Sequence, residues 1–348
     1  MNGDALRLIT RVWQPLGIRE LFNGDPNSAV DHSAYVDYYV KQWQLMMAGY
    51  NSSQCPTTST SVDEMLGLIQ QIHAGRTQVE VVAQLQEKGG DYTLAHPVAE
   101  NSINLALRLV SMMKFGTARR QIMPRRCLAW EHGSLKEYLA SYFGKQPALS
   151  CDRVRLPKSF QAWSIERIGG IDICFTDNLA DHLLLVEDDS KLLIFHHVSF
   201  LEYQQDINSV IFPDGLVSET LRTVALLLPE AQFGRRARGP GGKWLRQKRQ
   251  KEVGDCVLDA RLAHCGNLQT EERQIEHFTY WRDRLAILKQ AYDDATPRTL
   301  SQWWHDRRNG VQWYTFWVAI LVLILTAFLG LVQCVESALQ VYKAYFPS

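Results

Sequence analysis

Hydrophobic positions recur at helical spacing from Ser61 onward. Met65, Leu66, Leu68, Ile69 and Ile72 share one face behind the run Ser-Val-Asp-Glu, where Ser61 and Glu64 have the spacing of a reciprocal capping box. A second helix is predicted in TQVEVVAQLQEKGG, stopped by Gly89 and Gly90. A third is predicted in PVAENSINLALRLVSMMKFG, with Pro97 in its first turn and Gly116 past its end, and a fourth in SLKEYLASYFG. Short connections make residues 61–150 a helical module. Residues 1–60 form a poorly defined N-terminal segment, in which the aromatic run YVDYYVKQWQLMM gives way to a turn-prone linker, NSSQCPTTSTS.

The period then shifts. In IDICFT, Ile171, Ile173 and Phe175 alternate with Asp172, Cys174 and Thr176, and KLLIFHH is a short apolar run, so both read as strands. NLADHLLLVEDDS, between them, reads as a helical turn ending in a solvated acidic bend, and LVSETLRTVALLLP as a helix stopped by Pro229. Residues 151–230 are therefore a small α/β unit. Beyond it, 231–254 is a Gly/Pro-containing basic loop, and 255–312 a helical stalk whose buried stripe is Ile275, Phe278, Trp281, Leu285, Leu288 and Tyr292.

Residues 313–332 form a run of twenty without a charge. A hydrocarbon core about 30 Å thick needs about twenty helical residues. Twelve of the positions are Leu, Ile, Val or Phe, Leu323, Phe328 and Val332 among them. At roughly −0.3 to −0.6 kcal/mol each they favour insertion by about 4 to 7 kcal/mol. Trp303, Trp304, Trp313, Tyr314 and Trp317 cluster at one end as an interfacial belt would. Arg298, Arg307 and Arg308 precede the run and only Lys343 follows, which predicts a cytosolic N-terminal part. The late position predicts insertion after synthesis, into the endoplasmic reticulum or another endomembrane. No polar side chain inside the run marks an ion path, and Ala319, Ala327 and Gly330 leave homotypic packing open. Residues 333–348 read as an amphipathic tail that lies along the far headgroups or prolongs the helix.

Charge changes the picture only locally, because 37 basic residues balance 37 acidic ones. Residues 234–251 carry eight bases and no acid, and read either as a solvated linker or, through Arg235, Arg236, Lys243, Arg246, Lys248 and Arg249, as a surface for anionic lipid. TQVEVVAQLQEKGG has Lys88 as its sole base, so no nucleic-acid partner is expected. Seven scattered cysteines without a C-x-x-C pair argue against a disulfide framework or a zinc ribbon, and MNGDALRLIT does not read as a signal peptide. Cys256, His264 and Cys265 sit too far apart on their predicted helix for zinc.

The densest set of catalytic-type side chains is Asp177, Asp181, His182, Asp188, Asp189, His196 and His197. The set reads first as structural, one histidine satisfied in the core and the acids on a turn; Asp181, His182 and His196 are the weak metal candidates, because adjacent His196 and His197 on a strand would point to opposite faces. No phosphate loop, dinucleotide fingerprint, nucleophile elbow or H-E-x-x-H occurs, and no catalytic residue or cofactor is assigned.

The segments NLADHLLLVEDDSKLLIFHHVSFL, FPDGLVSETLRTVALLLP and the WWHDRRNGVQWYTFWVA-type run resemble a group of uncharacterised filamentous-fungal proteins with one C-terminal membrane span. The resemblance runs from about Met65 to Tyr345 and implies the span, but no activity or site residue. The layout is similar to CorA-like transporters in architecture only, since the Gly-Met-Asn motif is missing. The expected architecture is mainly α with a small α/β unit, followed by a stalk helix and one transmembrane helix. The expected function is a membrane-anchored docking or scaffolding module for a cytosolic protein partner. The alternatives are a tethered metal-dependent enzyme built on Asp181, His182 and His196, and an oligomeric transporter subunit.

Overall fold

A computed structural model describes residues 33–51, 62–88, 96–116, 127–144, 154–234, 237–251, 257–295 and 310–345. It divides into two compact units. One comprises Met1–Glu166 with Ile171–Asp294, and the other Arg167–Gly170 with Ala295–Ser348. Ser61 of the expected capping box, the 52–61 linker, Gly89, Gly90, Arg235, Arg236, Cys256, Arg298, Trp303, Trp304, Arg307 and Arg308 lie outside the described residues.

The first unit begins with α1, Ser33–Asn51, in a segment whose sequence shows no clear period. Its buried face is built from tyrosines: Tyr35, Tyr38 and Tyr39 are all inside. Tyrosine needs a partner for its hydroxyl when buried. Tyr38 donates to the Arg108 carbonyl at 2.9 Å and Tyr39 to the Leu109 carbonyl. The helices expected from the sequence follow as α2 (Val62–His73), α3 (Gln78–Lys88) and α4 (His96–Ser111), the last of which carries both acceptors. α3 opens on a capping box between Thr77 and Glu80. α4 buries Ile103, Leu105, Ala106, Leu107, Leu109 and Val110 and packs against α1, α2 and α3. α5, Leu135–Phe143, is fixed by the Ser134/Glu137 capping box, and α6 is Ala162–Arg167.

The sheet has three strands in the order β1-β3-β2. β1 is Asp172–Thr176, β2 Leu184–Val186 and β3 Lys191–Phe195. β3 lies in the middle, parallel to β1 and antiparallel to β2. That position explains its unbroken apolar run, since Leu192 to Phe195 are buried on both faces. β2 replaces part of the expected helical turn. The acidic bend after it is present, with Glu187, Asp188 and Asp189 at left-handed φ of 54°, 54° and 60° and Ser190 Oγ donating to the Glu187 carbonyl at 2.6 Å.

α7 (Val198–Asp206) packs on α8 (Leu216–Leu227), and the four-residue α9 (Glu230–Phe233) on α10 (Pro240–Lys251). α10 corrects the expected basic loop. Pro240 occupies the first turn, where its missing N–H costs no helical hydrogen bond. Gly241 and Gly242 serve close packing, because a Cβ would come within 3.1 Å of the Phe233 ring and 2.6 Å of the Ala237 carbonyl respectively.

The expected stalk is also corrected, because residues 257–294 belong to the first unit. Three short 3-10 turns, Ala260–Ala263, Glu271–Arg273 and Ile275–His277, take the place of regular helix in its first half, and only α11, Arg282–Asp294, is regular. The segment is stitched in by backbone bonds from Ile275 to Val154 at 3.0 Å and from Leu156 to Arg273 at 2.8 Å. Glu219 on α8, 6% exposed, accepts the amides of Thr279, Tyr280 and Trp281 at 2.8 Å each. Trp281 donates its indole N–H to Thr220 Oγ1 at 2.9 Å. The stripe Ile275, Phe278, Trp281, Leu285, Leu288 and Tyr292 is buried, as its spacing implies.

In the second unit α12, Gly310–Tyr345, is one helix of 36 residues. Its stretch Trp313–Tyr342 is long and apolar enough to cross a membrane. At 1.5 Å per residue the helix is about 54 Å long, roughly 24 Å more than a hydrocarbon core. The amphipathic tail therefore prolongs the helix.

Candidate functional site

β1 and β3 are parallel neighbours, and their register pairs Thr176 with Phe195. The next residue on each chain is Asp177 or His196, so the two meet beyond the carboxyl ends of the strands. Open α/β sheets hold ligands in that position. His196 Nε2 lies 2.9 Å from Asp177 Oδ1, and His197 Nε2 lies 2.8 Å from the same oxygen. Both imidazoles are buried, while the Asp177 side chain is 34% exposed and opens the cluster to solvent. His197 joins because β3 ends at Phe195 and His197 is already the N-cap residue of α7. Strand alternation no longer applies there, so the expectation that only one of the two histidines reaches a site is corrected.

The surroundings fix the proton positions. The Asp259 amide donates to His196 Nδ1 at 3.4 Å, which leaves the His196 proton on Nε2, facing Asp177. Burial, aided by neighbouring His196, pulls the His197 pKa down to about 4 against the attraction of Asp177. His197 is therefore neutral near pH 7, and its contact with Asp177 is an N–H···O⁻ hydrogen bond rather than an ion pair. Burial opposes ionisation of Asp177, but the two imidazole N–H groups more than offset it and hold the carboxyl far below its usual range. His197 Nδ1 is buried without a hydrogen-bond partner. An unmatched buried polar atom costs about 1–3 kcal/mol.

Two further elements close the cluster. The ring of Tyr38 on α1 meets His197 edge-on at 5.8 Å. Asp259, fully buried, caps α7 by accepting the Ser199 amide and hydroxyl at 2.7 Å each, and also accepts the Arg261 amide at 2.8 Å.

The metal set expected from the sequence is only partly assembled here. His196 belongs to the cluster. His182 does not, because both its nitrogens are occupied: Nδ1 accepts the Phe195 amide at 3.1 Å and Nε2 donates to Thr223 Oγ1 at 2.7 Å. Burial and the nearby Arg284 lower its pKa to about 3, so it is a neutral core histidine. Asp181 is buried at the end of the 3-10 turn Leu179–Asp181 and lies outside the cluster. Among the described residues, Asp177, His196 and His197 are the group whose ligand atoms converge, all within 4.8 Å of one another. Asp188 and Asp189 stand exposed in the bend, and His264 Nδ1 is 3.1 Å from Glu230.

The anionic-lipid candidates divide as well. Lys248 is bound inward to Glu166 at 2.7 Å and Asp172 at 2.9 Å, and Arg249 donates to the Asp259 carbonyl at 3.1 Å. Lys243 and Arg246 are exposed. In α12, Leu323, Phe328 and Val332 are exposed, while Trp313 and Trp317 are half-buried and pack on each other at 6.2 Å. No protein-family model, no curated protein and no solved structure matches this chain, so the chemistry of the cluster rests on its geometry.

Proposed function

We propose that the chain is tethered to a membrane by α12 and that its folded unit serves as a docking module on the cytosolic face. The observation that carries the reading is the surface of α12. Among the described residues, every large exposed hydrophobic side chain except Val79, Val210, Val257 and Ile287 lies within 311–345. Contiguous apolar surface of that extent mostly marks an interface with lipid or protein. The length of the uncharged run favours lipid. The cytosolic orientation is supported by Arg298, Arg307 and Arg308 before the run against Lys343 after it. Docking against the same leaflet is supported by α10, whose exposed Lys243, Arg246 and Lys251 carry no neighbouring acid on that helix. Each base near an anionic leaflet contributes about 1 kcal/mol.

Alkaline carbonate extraction of cell membranes tests the tether: the full chain should stay in the pellet, and its release to the supernatant refutes the reading. Glycosylation acceptors placed before Met1 and after Ser348 test orientation. Modification confined to the tag after Ser348 is expected, and modification confined to the other tag reverses the topology.

A further inference from the structure

We propose that Asp177, His196 and His197 form a binding site for a divalent first-row transition metal ion, held by one carboxylate oxygen and two imidazole Nε2 atoms. This site is independent of the membrane tether.

Three observations converge on it. The first is the donor set, since two imidazoles and one carboxylate suit zinc, iron or manganese and leave coordination positions open for water. The second is spacing. Ligand atoms about 2.1 Å from an ion lie about 3.0 Å apart when cis in an octahedron and about 3.4 Å apart in a tetrahedron. The observed carboxylate–imidazole separations are 2.9 and 2.8 Å. All three atoms lie within 4.8 Å of one another, and loading opens the two short contacts to the ligand spacing of the ion. The third is access. The partly exposed Asp177 supplies the entry path.

A structural role for the cluster does not explain its composition. Two fully buried imidazoles both donate to one oxygen of a single carboxylate. Ligation at Nε2 transfers each ring proton to Nδ1 and leaves both rings neutral, so the balance is one ion gained and no proton released. At His196 this turns Nδ1 into a donor facing the Asp259 amide, now 3.4 Å away, and the segment at Asp259 must shift on loading.

The test uses the full chain, purified in detergent through a tag without histidine, stripped with chelator and titrated with Zn²⁺ and with Co²⁺. One equivalent per chain should bind, with a Co²⁺ visible spectrum. Asp177→Asn keeps an acceptor for both imidazole protons and should remain folded, yet weaken Zn²⁺ binding at least tenfold. The same loss is expected for His197→Gln, while exposed His132→Ala should change nothing. Cu²⁺ loading provides a readout that needs no variant: its electron paramagnetic resonance spectrum should carry coupling to two imidazole nitrogens. Absence of a stoichiometric ion in the wild type, coupling to fewer than two imidazoles, or unchanged affinity in folded Asp177→Asn would each overturn the site.

Discussion

His182 makes the folded unit acid-sensitive in a way that can be calculated. Its ring bridges the sheet and α8, accepting from Phe195 and donating to Thr223, which in turn donates to the Thr220 carbonyl at 2.6 Å. Protonating Nδ1 would set one N–H against another and place a cation beside Arg284. The folded pKa is accordingly lowered to about 3 from the ordinary 6.5. Because the unfolded chain binds the proton more readily, stability is fully present above pH 6.5 and is lost as pH falls toward 3. At pH 5 the loss from this residue is about 2 kcal/mol, and at pH 3 it reaches about 4 kcal/mol. Urea or thermal unfolding of the full chain in detergent, at pH 7.5 and pH 5.0, provides the measurement. The comparison is with His182→Gln, which is less stable at both values but lacks the titrating group. The variant's stability should fall by about 2 kcal/mol less than the wild type's over this interval. Equal slopes would refute the reasoning and show that His182 titrates near 6.5 in the folded state.

Other perturbations follow from named contacts. Glu219→Gln replaces a charged acceptor shared by three amides with one that also presents donors, and should destabilise by about 3 kcal/mol or more in a thermal scan. Asp259→Ala removes the cap of α7 and should cost about 2 kcal/mol by the same measurement, with Asp259→Asn recovering part of it. In α12, Leu325→Arg costs roughly 3 kcal/mol against an insertion free energy of about −4 to −7, so the chain should remain in carbonate-washed membranes. Val322→Arg and Leu325→Arg together should cancel insertion and release it.

Much of the secondary structure is legible because it depends on neighbours in sequence. The stripes of α2 and α4 and the uncharged run of α12 are all local signals. What fails is information held by partners distant in sequence. Tyr35, Tyr38 and Tyr39 belong to a poorly defined aromatic run until the α4 carbonyls that receive the hydroxyls of Tyr38 and Tyr39 are known. The glycines of α10 read as a loop because the Phe233 ring that Gly241 admits belongs to another helix. Residues 255–312 read as a stalk because periodicity reports that a face is buried, not what covers it; α8 meets the 279–281 segment through Glu219 and Thr220.

The cluster shows the same division at finer scale. All three of its residues stand among the chemistry-bearing side chains of the sequence, yet choosing among seven depends on two facts of pairing. If β1 and β3 were antiparallel neighbours, Asp177 and His196 would lie at opposite ends of the sheet, about five residues and so roughly 17 Å apart. Parallel pairing, made by the intervening β2 turning back along β3, brings both carboxyl ends to one edge. Ending β3 at Phe195 then frees His197 from the opposite face. His182 loses its place for the same reason in reverse: the strand that positions its ring also supplies the amide that occupies it. The chemistry therefore follows from where a three-stranded sheet stops, and shifting the β1–β3 register by one residue would move Asp177 out of line with His196.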